Sequence, residues 1–223
     1  MTHPAQPELD WKDGAIPVAR AFDDPYFSLA GGLAETRHVF LAGNGLPERL
    51  ADGFHIAELG FGTGLNLLAL ALMWQAMGAP GTLRFTSFEA FPMAAPDMAR
   101  ALAAFPEAAA ISAPLIAARA AGATEIALPG IHVTLILGDA RQTLPDWPHR
   151  ADAWFLDGFS PAKNPEMWGE DLMAAVAAHT APGGSFATYT AAGHVRRALA
   201  AEGFDVARQP GFAGKRHMST GKL

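Results

Sequence analysis

Residues 54–77 constrain the fold most. An apolar run from Phe54 to Leu59 enters Glu58-Leu59-Gly60-Phe61-Gly62-Thr63-Gly64 and passes directly into a second apolar run, Leu65 to Met77. The first run has the length of a strand and the second that of a helix. Three glycines in five positions let the backbone turn tightly between them and let a ligand approach it closely. The helical run is apolar on nearly all faces, which predicts a buried helix.

The pattern recurs downstream. Leu83–Phe88, Ile131–Leu137, Ala153–Leu156 and Ser185–Thr190 read as strands. Asp97–Ala121, interrupted near Pro106 and Pro114, and Glu170–His179 and Val195–Glu202 read as helices. Alternating strands and helices predict an α/β fold, a mostly parallel Rossmann-like sheet with helices on both faces. Phe204–Arg208 is a further strand and Lys215–Ser219 a weaker last one. The stretch from Gln209 to Gly214 suits a hairpin and is too short for a crossover, so the last strand is expected to be antiparallel. Residues 1–50 read as an N-terminal extension packed on the core, with a strand at Ile16–Arg20, a turn at Asp23-Asp24-Pro25 and a helix from Gly32 to Phe40 ending before Gly43-Asn44-Gly45. Residues 51–223 form the main domain, and the whole is expected to be one structural unit.

At 223 residues, half of them apolar and 17% charged, the chain can bury a sizeable core. It has no cysteine, which excludes disulfides, thiolate metal sites and a cysteine nucleophile. Its eight histidines never fall at helical ligand spacing, so no metal is expected. No apolar stretch approaches membrane-spanning length and no signal peptide is visible, so a cytoplasmic location and no membrane partner are expected. The net charge of −6 is uneven: residues 191–223 hold six basic and two acidic side chains, a net of +4 on an otherwise acidic chain. Such a segment fits a local polyanion contact or a solvated edge.

Carboxylates stand at or near the ends of the strand-like runs, where open α/β sheets bind ligands. The glycine turn has two readings. A dinucleotide site wants G-x-G-x-x-G over a pyrophosphate. Here the third glycine, Gly64, comes one residue early, and Glu58 stands two residues before Gly60. S-adenosylmethionine has no phosphate; its amino acid group and sulfonium suit a carboxylate at the turn, so the methyl-donor reading is preferred. Glu89, 25 residues after Gly64, can accept from both ribose hydroxyls of either cofactor. Asp139 can accept from the adenine amine, with the Ala140 amide near the ring. Asp157 ends the fourth run and opens Gly158-Phe159-Ser160-Pro161-Ala162-Lys163-Asn164-Pro165-Glu166-Met167-Trp168. A primary amine attacks only when unprotonated, and a carboxylate beside the sulfonium can accept its hydrogens and stabilise charge as nitrogen is alkylated. Asp157 is the expected catalytic residue. Phe159 is suited to pack against an acceptor base or the methyl group, and Lys163 and Asn164 to bind phosphate or base edges. Pro161 and Pro165 stiffen the loop, and Trp168 reads as a core anchor.

These motifs resemble a known family. With Phe22-Asp23-Asp24-Pro25-Tyr26-Phe27-Ser28, Glu35-Thr36-Arg37-His38-Val39-Phe40-Leu41, Gly43-Asn44, Leu65-Asn66, Ser87-Phe88-Glu89-Ala90-Phe91-Pro92, Gly138-Asp139, Asp152 to Trp168, Pro182-Gly183-Gly184, Ser185 to Thr190 and Gly211-Phe212, nearly the whole chain is similar to the methyltransferase domain of the bifunctional tRNA 5-methylaminomethyl-2-thiouridine biosynthesis proteins and to its stand-alone relatives. The resemblance implies a class I S-adenosylmethionine-dependent methyltransferase fold. It implies methyl transfer to the amine of 5-aminomethyl-2-thiouridine at the wobble position of tRNA. Asn66 joins the cofactor-binding set, and the tRNA anticodon loop is the expected partner, with Arg196, Arg197 and Lys215 in the basic segment as candidate contacts beside Lys163. Ala90 departs from the basic residue expected there. No second dinucleotide fingerprint occurs, so no oxidase activity is expected of this chain; a flavin-dependent oxidase would be a separate or fused partner. The alternatives are a small-molecule amine N-methyltransferase, a silent cofactor-binding subunit and an NAD-binding domain.

Overall fold

The computed structural model describes residues 6–28 and 31–223. Strands β1 (Leu9–Lys12), β2 (Ile16–Ala19) and β3 (Asp24–Pro25) form a small antiparallel sheet. Helix α1 (Gly32–Thr36) runs into a π-helical turn, Arg37–Leu41, and a 3-10 turn, Ala42–Asn44, which Gly45 ends in the left-handed region at φ 66°. The single helix expected from Gly32 to Phe40 is therefore wound in two ways.

The main sheet has eight strands: β4 (His55–Leu59), β5 (Leu83–Glu89), β6 (Glu125–Leu128), β7 (Ile131–Leu137), β8 (Ala151–Leu156), β9 (Thr180–Thr188), β10 (Asp205–Pro210) and β11 (His217–Lys222). Their spatial order is β10-β11-β9-β8-β4-β5-β7-β6. The five central strands, from β9 to β7, are parallel, while β6 and the β10–β11 hairpin pair antiparallel. The antiparallel last strand is as expected, but it lies a little downstream of Lys215–Ser219, because the hairpin turn extends to Arg216. The β1 and β6 strands were not expected: each is four residues long with half of its residues exposed, too short for a period of two to stand out. The β9 strand also begins earlier than expected, at Thr180. Its Pro182-Gly183-Gly184 segment stays in the strand through an irregularity in which Gly183 takes φ 73°.

Helices α2 (Leu65–Ala76), α3 (Ala95–Leu102), α4 (Ala109–Ala120), α5 (Ala140–Thr143), α6 (Glu170–Ala178) and α7 (Gly193–Ala201) cover the sheet. Pro114 does not interrupt α4, whose buried Ile111 and Leu115 hold it to the core. One side of the sheet buries Leu67, Leu68, Leu70 and Trp74 of α2 with Leu33, Phe40 and Leu41 of the N-terminal segment. The other buries Trp147, Trp154 and Trp168 with Leu172, Met173 and Val176 of α6. Removing most of these side chains from water contributes on the order of 1.5–3 kcal/mol each. Among the described residues no helix is long and apolar enough to cross a membrane.

Candidate active site

The chain leaves β4 towards β5 and β7 on one side and later returns to β8 and β9 on the other. The connections beyond the carboxyl ends of β4 and β8 therefore diverge, which opens a crevice. A cavity of ≈ 890 Å³ lies there, with Gly60, Gly62, Glu89, Asp139 and Asp157 in its wall.

The glycine turn is shaped by close backbone approach. Gly60 has φ 87°, and a Cβ on it would overlap the carbonyl oxygen of Asp157. Gly62 has φ 53°, and a Cβ there would stand 3.0 Å from the ring of Tyr26. Gly64 caps α2 at φ 82° but does not face the cavity; a Cβ would press on Phe61 and Leu115. Glu89 holds the turn from β5: its carboxylate accepts from the Gly62 N–H at 2.9 Å and the Phe91 N–H at 2.7 Å. Burial raises its pKa, while those backbone N–H groups oppose the rise.

Glu58 lies away from the place the sequence suggests for it. It was expected at the cofactor, yet it is fully buried beneath the cavity and absent from its wall. Its two oxygens are taken by the Ser87 hydroxyl at 2.7 Å and the Asn66 amide at 2.8 Å. Burial pushes its pKa well above the usual carboxylate range. In this arrangement Glu58 holds Asn66, and Asn66 holds Asp157: the same amide nitrogen donates to Asp157 Oδ2 at 2.6 Å, and the Asn66 oxygen accepts from the Thr36 hydroxyl at 2.9 Å. Asn66 borders the cavity with its side chain committed to this network.

Asp139 and Ala140 border the cavity too. Asp139 caps α5 by accepting from the Arg141 N–H at 2.9 Å, and the Arg141 guanidinium grips both carboxylate oxygens. That hydrogen bonding holds the Asp139 pKa below its usual value.

Asp157 is set by β8, and its N–H donates to the Leu59 carbonyl at 3.1 Å. Burial pushes its carboxyl up to about 7, against the pull of the Asn66 amide; the negative charge of Glu35 pushes the same way and Lys215 opposes it. A carboxyl that exchanges its proton near neutral pH, in a cavity wall, is equipped for proton transfer.

The loop after Asp157 is held by the N-terminal segment. Phe159 stacks on Phe22 with ring centroids 4.6 Å apart and meets Tyr26 edge-on, so that much of its ring is already engaged inside the protein. Asp24 accepts from the Ser160 N–H at 2.8 Å. Lys163, expected at phosphate, instead binds the Asp23 carbonyl and carboxylate and lies 3.6 Å from Asp24. Asn164 is buried in the cavity wall. Trp168 is a core anchor, 2% exposed, its indole N–H on the Phe159 carbonyl at 2.8 Å. Lys215 reaches the cavity as well, but its partner is Glu35, at 2.6 Å. Arg196 and Arg197 lie on α7, outside the cavity wall; the Arg196 guanidinium donates to the Ala191 carbonyl.

Asp24, Tyr26, Glu35, Thr36, Arg141 and Tyr189 carry site geometry that motif reading did not assign. The first four lie in the two N-terminal motifs quoted above, and nothing local shows that those motifs reach a cavity formed 100 residues later. Among the described residues no group of three or more histidine, aspartate or glutamate side chains is arranged to hold a metal.

The donor set fits S-adenosylmethionine. Glycine-walled backbone, a strand-end carboxylate at Glu89 and the capped Asp139–Ala140 turn are polar groups without any strongly anion-binding loop, as a sulfonium cofactor without phosphate requires. Residues 105–223 match the model of a family described as S-adenosyl-L-methionine-dependent methyltransferase. The chain is 47% identical over 224 residues to the tRNA 5-methylaminomethyl-2-thiouridine biosynthesis bifunctional protein MnmC of Caulobacter vibrioides, an alignment covering 97% of this chain and 38% of that protein. Against the protein of the same name from Pseudomonas aeruginosa strain UCBPP-PA14 it is 49% identical, over 96% of this chain and 34% of the other. The chain thus spans little more than a third of the length of these curated relatives. The crystal structure of MnmC2 from Aquifex aeolicus superposes with a TM-score of 0.79 at 27% identity, covering 98% of this chain and 71% of that one. On the family match, the fold and the cavity beyond the carboxyl ends of β4 and β8 together, the chain belongs to the S-adenosyl-L-methionine-dependent methyltransferases.

Proposed function

We propose that this methyltransferase acts on the amine of 5-aminomethyl-2-thiouridine at the wobble position of tRNA, giving the 5-methylaminomethyl product. The observation that carries the reading is Asp157: a carboxyl with a pKa of about 7, fixed by Asn66 in a cavity wall beside the glycine turn. The relatives named for this tRNA modification supply the substrate.

Bound S-adenosylmethionine supplies an electrophilic methyl group on a sulfonium. Glu89 offers acceptors to its ribose hydroxyls, Gly60 and Gly62 let backbone approach it, and Asp139 with Ala140 offers an acceptor and an amide to the adenine. Asp157 accepts a hydrogen from the substrate amine and so turns its lone pair outward. As nitrogen gains a fourth bond and positive charge, the carboxylate stabilises that charge and can take the proton released. Phe159, Asn164 and the N-terminal segment close the acceptor side and exclude water. The wobble base lies in a single-stranded loop, so it reaches the cavity without duplex opening. Phosphate contacts are assigned to Arg196 and Arg197, with Lys163 once freed from Asp23. The flavin-dependent oxidase that supplies the aminomethyl group is a separate or fused partner, and the setting is cytoplasmic.

The test is mass spectrometry of wobble nucleosides after incubating undermodified tRNA with protein and methyl donor. A 14-dalton gain confined to the 5-aminomethyl-2-thiouridine nucleoside is expected on the mass of a methyl replacing hydrogen. No gain on tRNA, with turnover of free amines, would move the chain to small-molecule amine methylation.

A further inference from the structure

We propose that Glu35 and the ring of Tyr189 form the subsite that receives the substrate's alkylammonium group, and that Lys215 occupies this subsite until substrate displaces it. The inference rests on the amine-acceptor reading above and adds to it the residues that recognise the amine.

Lys215 projects from the turn between β10 and β11, 180 residues from Glu35 in sequence. Its ammonium lies 2.6 Å from Glu35 Oε1 and 5.0 Å from the Tyr189 ring centroid. The three residues border one cavity with Asp157. A primary ammonium on a flexible alkyl stem is also what a protonated aminomethyl substrate presents, so Lys215 displays the geometry that such a group can adopt. Carboxylate and aromatic face together favour a cation over a neutral group of the same shape.

The two partners of the ion pair are unequal. The Glu35 side chain is 12% exposed and that of Lys215 49%. The carboxylate is therefore the built part and the lysine the movable one. Lys215 can swing out into solvent, but its withdrawal leaves a mostly buried carboxylate unpaired, which favours a replacement cation. The Tyr189 ring is fixed, because its hydroxyl donates to the Gly158 carbonyl at 2.6 Å. Burial and, after it, the negative charges of Asp157, Asp24 and Glu35 raise that hydroxyl's pKa. Withdrawal of Lys215 leaves this wall short of a cation, and an entering alkylammonium replaces it.

The experiment uses the full chain saturated with S-adenosylhomocysteine and, as probes, the nucleosides 5-aminomethyl-2-thiouridine and 5-methyl-2-thiouridine, which carry no phosphate. Calorimetry on the unmodified protein is expected to show at least about tenfold preference for the amine. Glu35→Gln removes that preference. Lys215→Met tightens amine binding severalfold and leaves the neutral nucleoside unchanged. Tyr189→Phe keeps the preference and Tyr189→Leu weakens it, which covers the case of a poorly folded Glu35 variant. Weaker or unchanged amine binding in Lys215→Met, or an amine preference that survives Glu35→Gln, overturns the inference. The outcomes separate from those of the proposed function: amine preference without tRNA methylation keeps the subsite and removes the substrate, whereas tRNA methylation without Glu35 dependence does the reverse.

Discussion

The two walls of the cavity are built by different means. The wall assigned to the cofactor comes from consecutive strand ends, β4, β5 and β7, and is mostly backbone: a glycine turn, the amides that Glu89 fixes, and the cap of α5. The wall assigned to the acceptor combines side chains from residues 22–36, from the loop after Asp157 and from Lys215. Hydrogen bonds between neighbouring strand ends hold the first. Contacts between segments more than 100 residues apart hold the second. The first is therefore expected to be rigid and specific for the cofactor, and the second to open and to carry the selectivity for the base.

If that contrast holds, substitutions should separate cleanly by wall. The largest expected effect is at the junction. Asp157→Asn should lower turnover about a hundredfold or more while S-adenosylhomocysteine affinity changes little. Turnover of the unmodified protein should rise with pH through about 7, as Asp157 loses its proton. The same shift bears on stability. Unfolded, the carboxyl titrates near its ordinary value of about 3.9, so between there and about 7 the folded state binds the extra proton and stability falls as pH rises. Asp157→Asn should flatten that slope in denaturant titrations and be the more stable protein at pH 8. Near-normal turnover in the variant would show that another group positions the amine.

Next comes the cofactor wall. Glu89→Ala should weaken S-adenosylhomocysteine binding by about 1.5–3 kcal/mol, the scale of hydrogen bonds to a charged group, and leave nucleoside binding on the other wall intact. Calorimetry showing equal losses on both walls would mean that the turn and the acceptor side are one mechanical unit.

The smallest effect is expected farthest from the cavity. Reversing the charge at Arg196 and Arg197 together should raise the tRNA Michaelis constant severalfold, most at low salt, with turnover nearly unchanged. A Michaelis constant that stays level across a salt series would move the docking face to the N-terminal segment around Arg37 and Arg49.

Much of the cofactor wall could be read locally. Gly60, Glu89, Asp139 and Asp157 each end or follow an apolar run, and a strand end in a parallel sheet points its loop at one rim. Glu58 shows where such reading stops. In sequence it is one more acid at the turn; in the structure, strand alternation and the packing of α2 put it under the rim, bound to Ser87 and Asn66. Lys163 was legible as a cation but not as the partner of Asp23 and Asp24.

The sequence by itself determined the alternation of strands and helices, the antiparallel end of the sheet, the glycine turn and the carboxylates at the strand ends. These follow from periodicity and backbone sterics, which act over a few residues. Only the tertiary structure decided which acids face the cavity, which are buried beneath it, that Asp24 meets the loop after Asp157 and that Glu35 pairs with Lys215. Those outcomes depend on burial and on charge pairing across more than 100 residues of chain, and neither is expressed in any local stretch.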